Sequence, residues 1–412
     1  MTVANGKWDT NYEWKVVTLL GIGFGLVGLD RWIIAPLFPT MMADLNLNPG
    51  DIGTLAGALG LMWGVFAIFV GRLADSIGHR KILIPALLVF SLMSGLSGMA
   101  SGLVGLIMIR ALMGVAEGAY TPTSFTAVAS AAKPERRGIL QGAQQCGFAL
   151  FGLALGPIIA TQLLLVVPSW RWVFWIVAVP GFIVAGLLYY VLKEPEETQG
   201  AATVGATLTA EQTRSSYIEL LKTPNIVLAM LLLFCTMSCV FVLSAMVPVY
   251  LEGYIGFSPQ QQGLVMSGIG FGGFIGQFGV PGLSDRFGRK PMTVLSFIGA
   301  TISVWVFFQL GANPLALFLS IFMVSFFSLG VIALITGPIA TEAAPLGLVS
   351  AAIGIVVGSG EIFGGGVAPY IAGAIANNYG IQNVVWVALV GVAAGIVLSL
   401  FLKETAPIKQ AE

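Results

Sequence analysis

Residues 71–81 read GRLADSIGHRK, and residues 283–291 read LSDRFGRKP. Leu73, Asp75 and Gly78 of the first stretch correspond to Leu283, Asp285 and Gly288 of the second at a constant offset of 210. Each stretch is a short charged loop set between long apolar runs. A repeat of this size implies that the second half of the chain is built like the first, and two helical bundles around a central pathway follow from it.

Working outward from these loops, apolar runs long enough to cross about 30 Å of hydrocarbon occur twelve times. Their limits are 15–37, 52–70, 82–101, 104–125, 138–166, 170–192, 223–251, 260–280, 291–311, 314–340, 347–375 and 381–402. The expected fold is an all-α membrane protein of twelve transmembrane helices in two six-helix bundles. Most connections are short. The exception is 193–222, rich in charge from Lys193 to Lys222, which reads as a cytoplasmic linker between an N-terminal bundle (1–192) and a C-terminal bundle (223–412).

Composition agrees. The 412 residues are 57% hydrophobic and only 9% charged, where soluble proteins carry about 25% charge. With 19 basic against 19 acidic residues, a nucleic-acid partner is not expected. Sixteen of the 19 Lys and Arg lie at the termini or in loops after even-numbered spans; Arg31 and Arg110 lie inside spans, and only Arg171 is on the other side. That bias places both termini in the cytoplasm. The polar N-terminus, through Trp14, lacks a signal-peptide pattern, so the first apolar run is expected to stay as a spanning helix. Cys146, Cys235 and Cys239 fall within apolar runs and read as packing residues, not a disulfide framework or a metal site.

Five ionisable side chains lie inside the spans: Asp30, Arg31, Arg110, Glu117 and Glu361. A charge near the middle of a spanning helix costs roughly 2.5–3.5 kcal/mol on insertion scales, so such residues signal function. Arg110 and Glu117 are two helical turns apart and project from nearly one face, about 10 Å from each other. Asp30 and Arg31 point about 100° apart; this suggests Asp30 near Arg110, with Arg31 free for a ligand. A guanidinium stays charged when desolvated and suits a carboxylate bidentately, while a carboxylate in a low-dielectric cavity holds a proton more readily than in water. The only histidine, His79, is in a loop, so protons moved within the bundle must ride on carboxylates. Against this stands the reading of the same charges as ion pairs that merely hold helices together.

GRLADSIGHRK resembles the loop signature of the major facilitator superfamily, departing from it at Ser76 and His79, and SWRWVFWI (169–176) resembles the start of that superfamily's sixth helix. LDRWIIAP (29–36) and RALMGVAEGAYTP (110–122), followed by KPERRG (133–138), resemble the anion:cation symporters within it. The helix 4 segment is also similar to the spinster lysolipid transporters, and NLNPGDIGTL (46–55) is similar to aromatic-acid:proton symporters. The resemblance implies a secondary active transporter, not an enzyme: proton-coupled symport of a small organic anion by alternating access. It implies Asp30 and Glu117 as proton carriers and Arg31 and Arg110 as anion contacts. Proton-driven efflux of amphiphiles, or lysolipid transport, is the alternative.

Glu361, within GSGEIFGGGVAP (358–369), departs from the symporter pattern and is open to proton coupling, substrate contact or a structural hydrogen bond. Gln144, Gln145 and Tyr120 are further substrate candidates, with packing the plainer reading of Tyr120. Asp75, Arg80, Asp285 and Arg289 are assigned to gating. The pairs Gly21/Gly25, Gly60/Gly64 and Gly114/Gly118 and the trio Gly268/Gly272/Gly276 read as helix-packing positions. No metal or cofactor is expected; partners are the substrate anion, protons and the lipid bilayer. A monomer in a bacterial inner membrane completes the expectation, supported by the absence of N-x-S/T sequons and by short loops.

Overall fold

The computed structural model of the chain describes residues 3–4, 7–133, 137–193, 218–345 and 348–406. Among them, twelve helices are long and apolar enough to span a membrane: Thr10–Leu45, Asp51–Val70, His79–Ser97, Leu103–Val128, Leu140–Leu163, Trp170–Val191, Pro224–Gly253, Pro259–Phe287, Arg289–Gln309, Pro314–Ala343, Ala352–Tyr379 and Ile381–Ser399. They are spans 1 to 12. Their even number returns both ends of the chain to one face, the terminal face. A two-residue antiparallel ladder, Val3–Ala4 with Lys7–Trp8, precedes span 1. Most of the linker lies outside the described residues.

Helix ends follow caps more than apolar length. Span 1 begins at Thr10, earlier than 15, because the Asp9 carboxylate accepts from the Tyr12 N–H at 3.0 Å and satisfies a free donor of the first turn. Ser258 and Gln261 close a capping box on span 8. Span 1 is broken between Thr10–Trp32 and Ile34–Leu45. Pro36 explains the break, since it has no N–H to offer the Trp32 carbonyl one turn back. The break falls immediately after Asp30 and Arg31.

The repeat seen in the sequence is a repeat of packing. In the first half, span 4 packs on spans 2 and 3, span 3 on span 6, and span 1 on spans 5 and 6. In the second, span 10 packs on spans 8 and 9, span 9 on span 12, and span 7 on spans 11 and 12. Two six-helix bundles result. Between them span 1 meets span 7, span 2 meets span 11 and span 5 meets span 8.

Glycines set how closely these helices approach. Carbon added at Gly60 would fall on the Gly365 backbone across the span 2–span 11 seam, and at Gly270 on the Ala154 backbone across the span 5–span 8 seam. Within the first bundle, Gly28 and Gly152 oppose each other, backbone to backbone. The glycine pairs noted in the sequence do pack: Gly114 and Gly118 lie against Leu59 and Trp63, and Gly272 and Gly276 against Phe322 and Phe326. Toward the face opposite the termini the span 2–span 11 seam continues to Gly50, whose N–H donates to Asn377 Oδ1 at 2.8 Å.

On the terminal face the second signature loop is one end of a charged network. Arg289 donates through Nη1 to Asp285 at 2.6 Å and to Ser284, and through Nη2 to Glu342 at 2.8 Å. Glu342 also accepts from Thr405 Oγ1. Glu404 accepts from the backbone N–H groups of Arg289, Lys290, Thr405 and Ala406, and so caps span 9 from the C-terminal segment. Arg289 is therefore 6% exposed and not a free loop charge. Glu13 is also fully buried, its Oε1 accepting from the Lys133 N–H at 2.9 Å. Charges outside the five intramembrane residues are thus not all in contact with water: tertiary hydrogen bonds hold Glu13 and Arg289 under the surface.

Two outcomes follow. Gly152→Val must separate spans 1 and 5, an overpacking cost of about 1–3 kcal/mol, and a thermal melt in detergent should show it as a lowered midpoint. For Glu404, burial alone would raise the pKa, but four backbone N–H donors outweigh it and hold the carboxyl below the ordinary glutamate range. Its stabilising effect is complete above the unfolded value of about 4.3 and is lost as pH falls through the lower folded value. A spin label at Lys403→Cys, in a background lacking the native cysteines, should be immobile at neutral pH and mobilise only in strong acid; Glu404→Gln should mobilise it already at neutral pH.

Candidate functional site

Spans 1, 4 and 11 bring together the five charges singled out in the sequence. Asp30, Arg31, Arg110, Glu117 and Glu361 are 2%, 5%, 1%, 0% and 6% exposed, so the group is shut off from bulk water and lipid alike. The helices that carry them are irregular where they do so. Asp30 and Arg31 end the first segment of span 1, and Glu361 opens a wide π-helical turn over Gly360–Val367. Such turns recur at functional positions because the extra residue per turn redirects side chains. The glycines of that turn let span 11 lie against spans 2 and 7: Gly365 faces Phe241 and the Glu361 carboxylate, and Gly364 faces Met237.

Arg31 and Glu361 join the two halves of the chain. Arg31 Nη2 donates to Glu361 Oε2 at 3.2 Å. The guanidinium carbon lies 4.3 Å from the ring centre of Trp63, 4.6 Å from Phe241 and 5.5 Å from Trp32. Three aromatic rings from spans 1, 2 and 7 thus surround one cation, an arrangement in which a desolvated cation–π contact is worth about 2 kcal/mol. Arg31 is not free, as the sequence suggested; the wide turn of span 11 delivers a carboxylate to it that helical spacing alone does not reveal.

Arg110 reaches span 1 from span 4. Its Nη1 donates to the carbonyls of Asp30 and Arg31, both at 3.1 Å, beside the Pro36 break. The Asp30 carboxylate itself accepts from Ser94 Oγ of span 3 at 2.8 Å. The expected neighbourhood of Asp30 and Arg110 is present, but through backbone oxygens. Nη1 of Arg31, Nε and Nη2 of Arg110, and both carboxyl oxygens of Glu117 have no hydrogen-bond partner among the described residues. Buried donors of that kind require acceptors. A cavity of about 10 Å³, room for about one water, lies among Arg31, Arg110, Trp32, Ile52, Ala245 and Gly365. The charges of Arg31, Asp30, Arg110 and Glu361 all act on Glu117.

The remaining sequence candidates are placed elsewhere. Gln144 is buried and donates from Nε2 to Ser124 Oγ at 2.9 Å, bridging spans 4 and 5; Gln145, one residue on, is exposed. Tyr120 is fully buried, its hydroxyl on the Leu20 carbonyl and its ring edge-on to Phe90. It packs between spans 1 and 3 and is not part of the charged group. Arg80 donates to the Tyr189 carbonyl and lies over the Tyr189 ring at 4.4 Å. The side chain of Asp75 lies outside those described. Sequence reasoning missed Trp63, Phe241 and Ser94. The first two are apolar residues in apolar runs, and their only signal was placement in spans 2 and 7 at the depth of Arg31.

Known proteins bear on this arrangement. A family model described as "Major Facilitator Superfamily" matches residues 20–281 and 231–412. The chain is 26% identical over 392 residues to a Cupriavidus pinatubonensis protein named "Probable 4-methylmuconolactone transporter", covering 93% of this chain and 89% of that one. It is 25% identical over 288 residues to the "Hexuronate transporter" of Bacillus subtilis, covering 67% and 68%. A crystal structure of a bacterial homologue of the human lysosomal transporter Spinster, inward-facing and occupied, matches with a TM-score of 0.72 at 16% identity, covering 96% of this chain and 95% of that one. At that identity the likeness is one of fold.

Breaking the central ion pair from one side should be worse than removing it. Arg31→Met strands a buried carboxylate, an effect of about 3–5 kcal/mol. The Arg31→Met/Glu361→Met pair should melt at a higher temperature than Arg31→Met alone, measured on purified protein in one detergent.

Proposed function

The chain belongs to the major facilitator superfamily, and from that premise we propose that it takes up a small organic carboxylate together with protons by alternating access. It is a transporter and not an enzyme. The observation that carries the reading is the shared burial of two permanent cations with three carboxyls at the junction of the bundles. Arg31 and Arg110 hold unpartnered N–H donors toward one cavity, which suits a carboxylate. Asp30, Glu117 and Glu361 are the groups available to carry protons. With anion and proton bound together the dry cluster keeps its charge; with either alone it does not, and moving unbalanced charge through an occluded state is unfavourable.

The names of the Cupriavidus and Bacillus relatives, a lactone and a sugar-acid carrier, are consistent with an anionic or oxygen-rich small substrate. The excess of Lys and Arg on the terminal face supports an orientation with that face toward the cytoplasm, and on this reading the carrier lies in a bacterial inner membrane. Arg80, Arg289 and Asp285, with Asp75, are assigned to gating on that face: Arg80 ties its end of the first bundle to Tyr189 and Arg289 its end of the second to Glu342, so each end moves as a unit when the bundles rock. Gln144 contributes through Ser124 by fixing span 5 against span 4. The carrier works as a monomer, since the site is completed within one chain.

Uptake into proteoliposomes from a panel of organic acids, with and without an imposed pH gradient, tests the reading. Accumulation should follow the gradient for at least one carboxylate. Arg110→Ala should abolish binding of that acid, and Glu117→Gln should retain binding while losing gradient-driven accumulation. Uptake indifferent to the gradient removes proton coupling, and a panel in which only neutral or amphiphilic compounds move removes the carboxylate.

A further inference from the structure

Arg31 already has a carboxylate. The Glu361 oxygen occupies the guanidinium at 3.2 Å, the aromatic rings of Trp32, Trp63 and Phe241 close around the cation, and the adjoining cavity holds about one water. A substrate carboxylate has no room at this cation while Glu361 is there. We infer that Arg31 and Glu361 form an exchange site, at which the substrate carboxylate replaces the Glu361 carboxylate on Arg31 and Glu361 leaves carrying the proton. The inference rests on the symport reading and sharpens it, by assigning one proton to one residue and tying it to one anion contact.

The charge balance is closed. Before exchange Arg31⁺ faces Glu361–COO⁻; afterwards Arg31⁺ faces R–COO⁻ and Glu361–COOH has taken one proton from solution. The net charge of the buried group is the same in both states, whatever charge Asp30 and Glu117 hold. An unprotonated Glu361 displaced from Arg31 would be a buried carboxylate without its donor, and that penalty couples the two events.

The surroundings of Glu361 give it few other partners. Span 1 presents Arg31, which donates to it, and span 4 presents Glu117. Span 7 packs against the wide turn with Leu233, Met237 and Phe241; its titratable groups near this depth are Cys235 and Cys239, the latter beside Ser328. Span 2 offers Trp63, Gly64 and Leu61 and has no ionisable residue between Asp51 and Val70. Gly365 leaves the space in which the carboxylate sits, since carbon added there would meet Glu361 Oε2 and Phe241. Among the described residues Arg31 is the hydrogen-bond partner of this carboxylate, so leaving it breaks no second hydrogen bond.

The test is binding of a transported carboxylate to purified protein by calorimetry, across pH and in buffers of differing ionisation enthalpy. The wild type should bind more tightly as pH falls and take up protons with the anion. Glu361→Gln should bind at neutral pH with an affinity nearer the one the wild type reaches in acid, with a shallower pH profile and about one proton fewer taken up per anion bound. Proton uptake by the wild type is readable even if Glu361→Gln fails to fold, and Glu361→Asp, which keeps the carboxyl, should restore the pH dependence. If Glu361→Gln binds with the wild-type pH profile and proton count, the exchange assignment is overturned while the symport reading survives. If the wild type binds carboxylates with no pH dependence, both are overturned.

Discussion

One cation held between the two halves of the chain organises the rest of the structure. Arg31 stands on the last turn before the break in span 1, and its charge is met by Glu361 from the far half and by rings from spans 1, 2 and 7. An unpaired guanidinium at this depth is strongly unfavourable, and a paired one gains little over an apolar substitute. The pair is thus a poor means of holding a bundle together and a good means of making its stability depend on what else is bound. The glycine seams serve the same end. Gly60 against Gly365 and Gly270 against Ala154 let the halves touch backbone to backbone, which brings span 11 close enough for Glu361 to reach the first bundle.

The second constraint is dryness. Arg110 and Glu117 sit two turns apart on span 4, and neither is satisfied by the protein alone: Nε and Nη2 of Arg110 and both oxygens of Glu117 lack partners among the described residues. Low dielectric magnifies such deficits. Unpartnered guanidinium nitrogens can take anion oxygens and unpartnered carboxyl oxygens can take protons, and the proposed symport draws on both.

Much of this was legible in the linear chain, and the reasons for the exceptions are physical. Span count and the twofold repeat were readable because lipid leaves helices few alternatives. The five buried charges were readable because they stand alone in apolar runs. Their pairing was not. A 3.6-residue rotation gives directions within one straight helix, whereas the pairing of Arg31 depends on a break at Pro36 and a π turn over Gly360–Val367. Tyr120, chosen for its nearness to Glu117, is turned to Leu20 and Phe90, and Gln145 is exposed where Gln144 is buried. Glu404 lies past the last apolar run, and only tertiary docking makes it a helix cap.

The offset of the repeated loops has a last implication when carried through the site. It maps Asp30, Arg31, Arg110 and Glu117 onto Val240, Phe241, Ser320 and Phe327, and Glu361 onto Phe151. Arg31 therefore rests against its own counterpart, Phe241, where spans 1 and 7 meet. A duplicated ancestor with like residues at these positions would have set cation against cation or ring against ring. In this chain four of the five buried charges stand in the first half, and the second supplies one, Glu361. Selection on what is carried could act on one half while leaving the mechanics of the other intact.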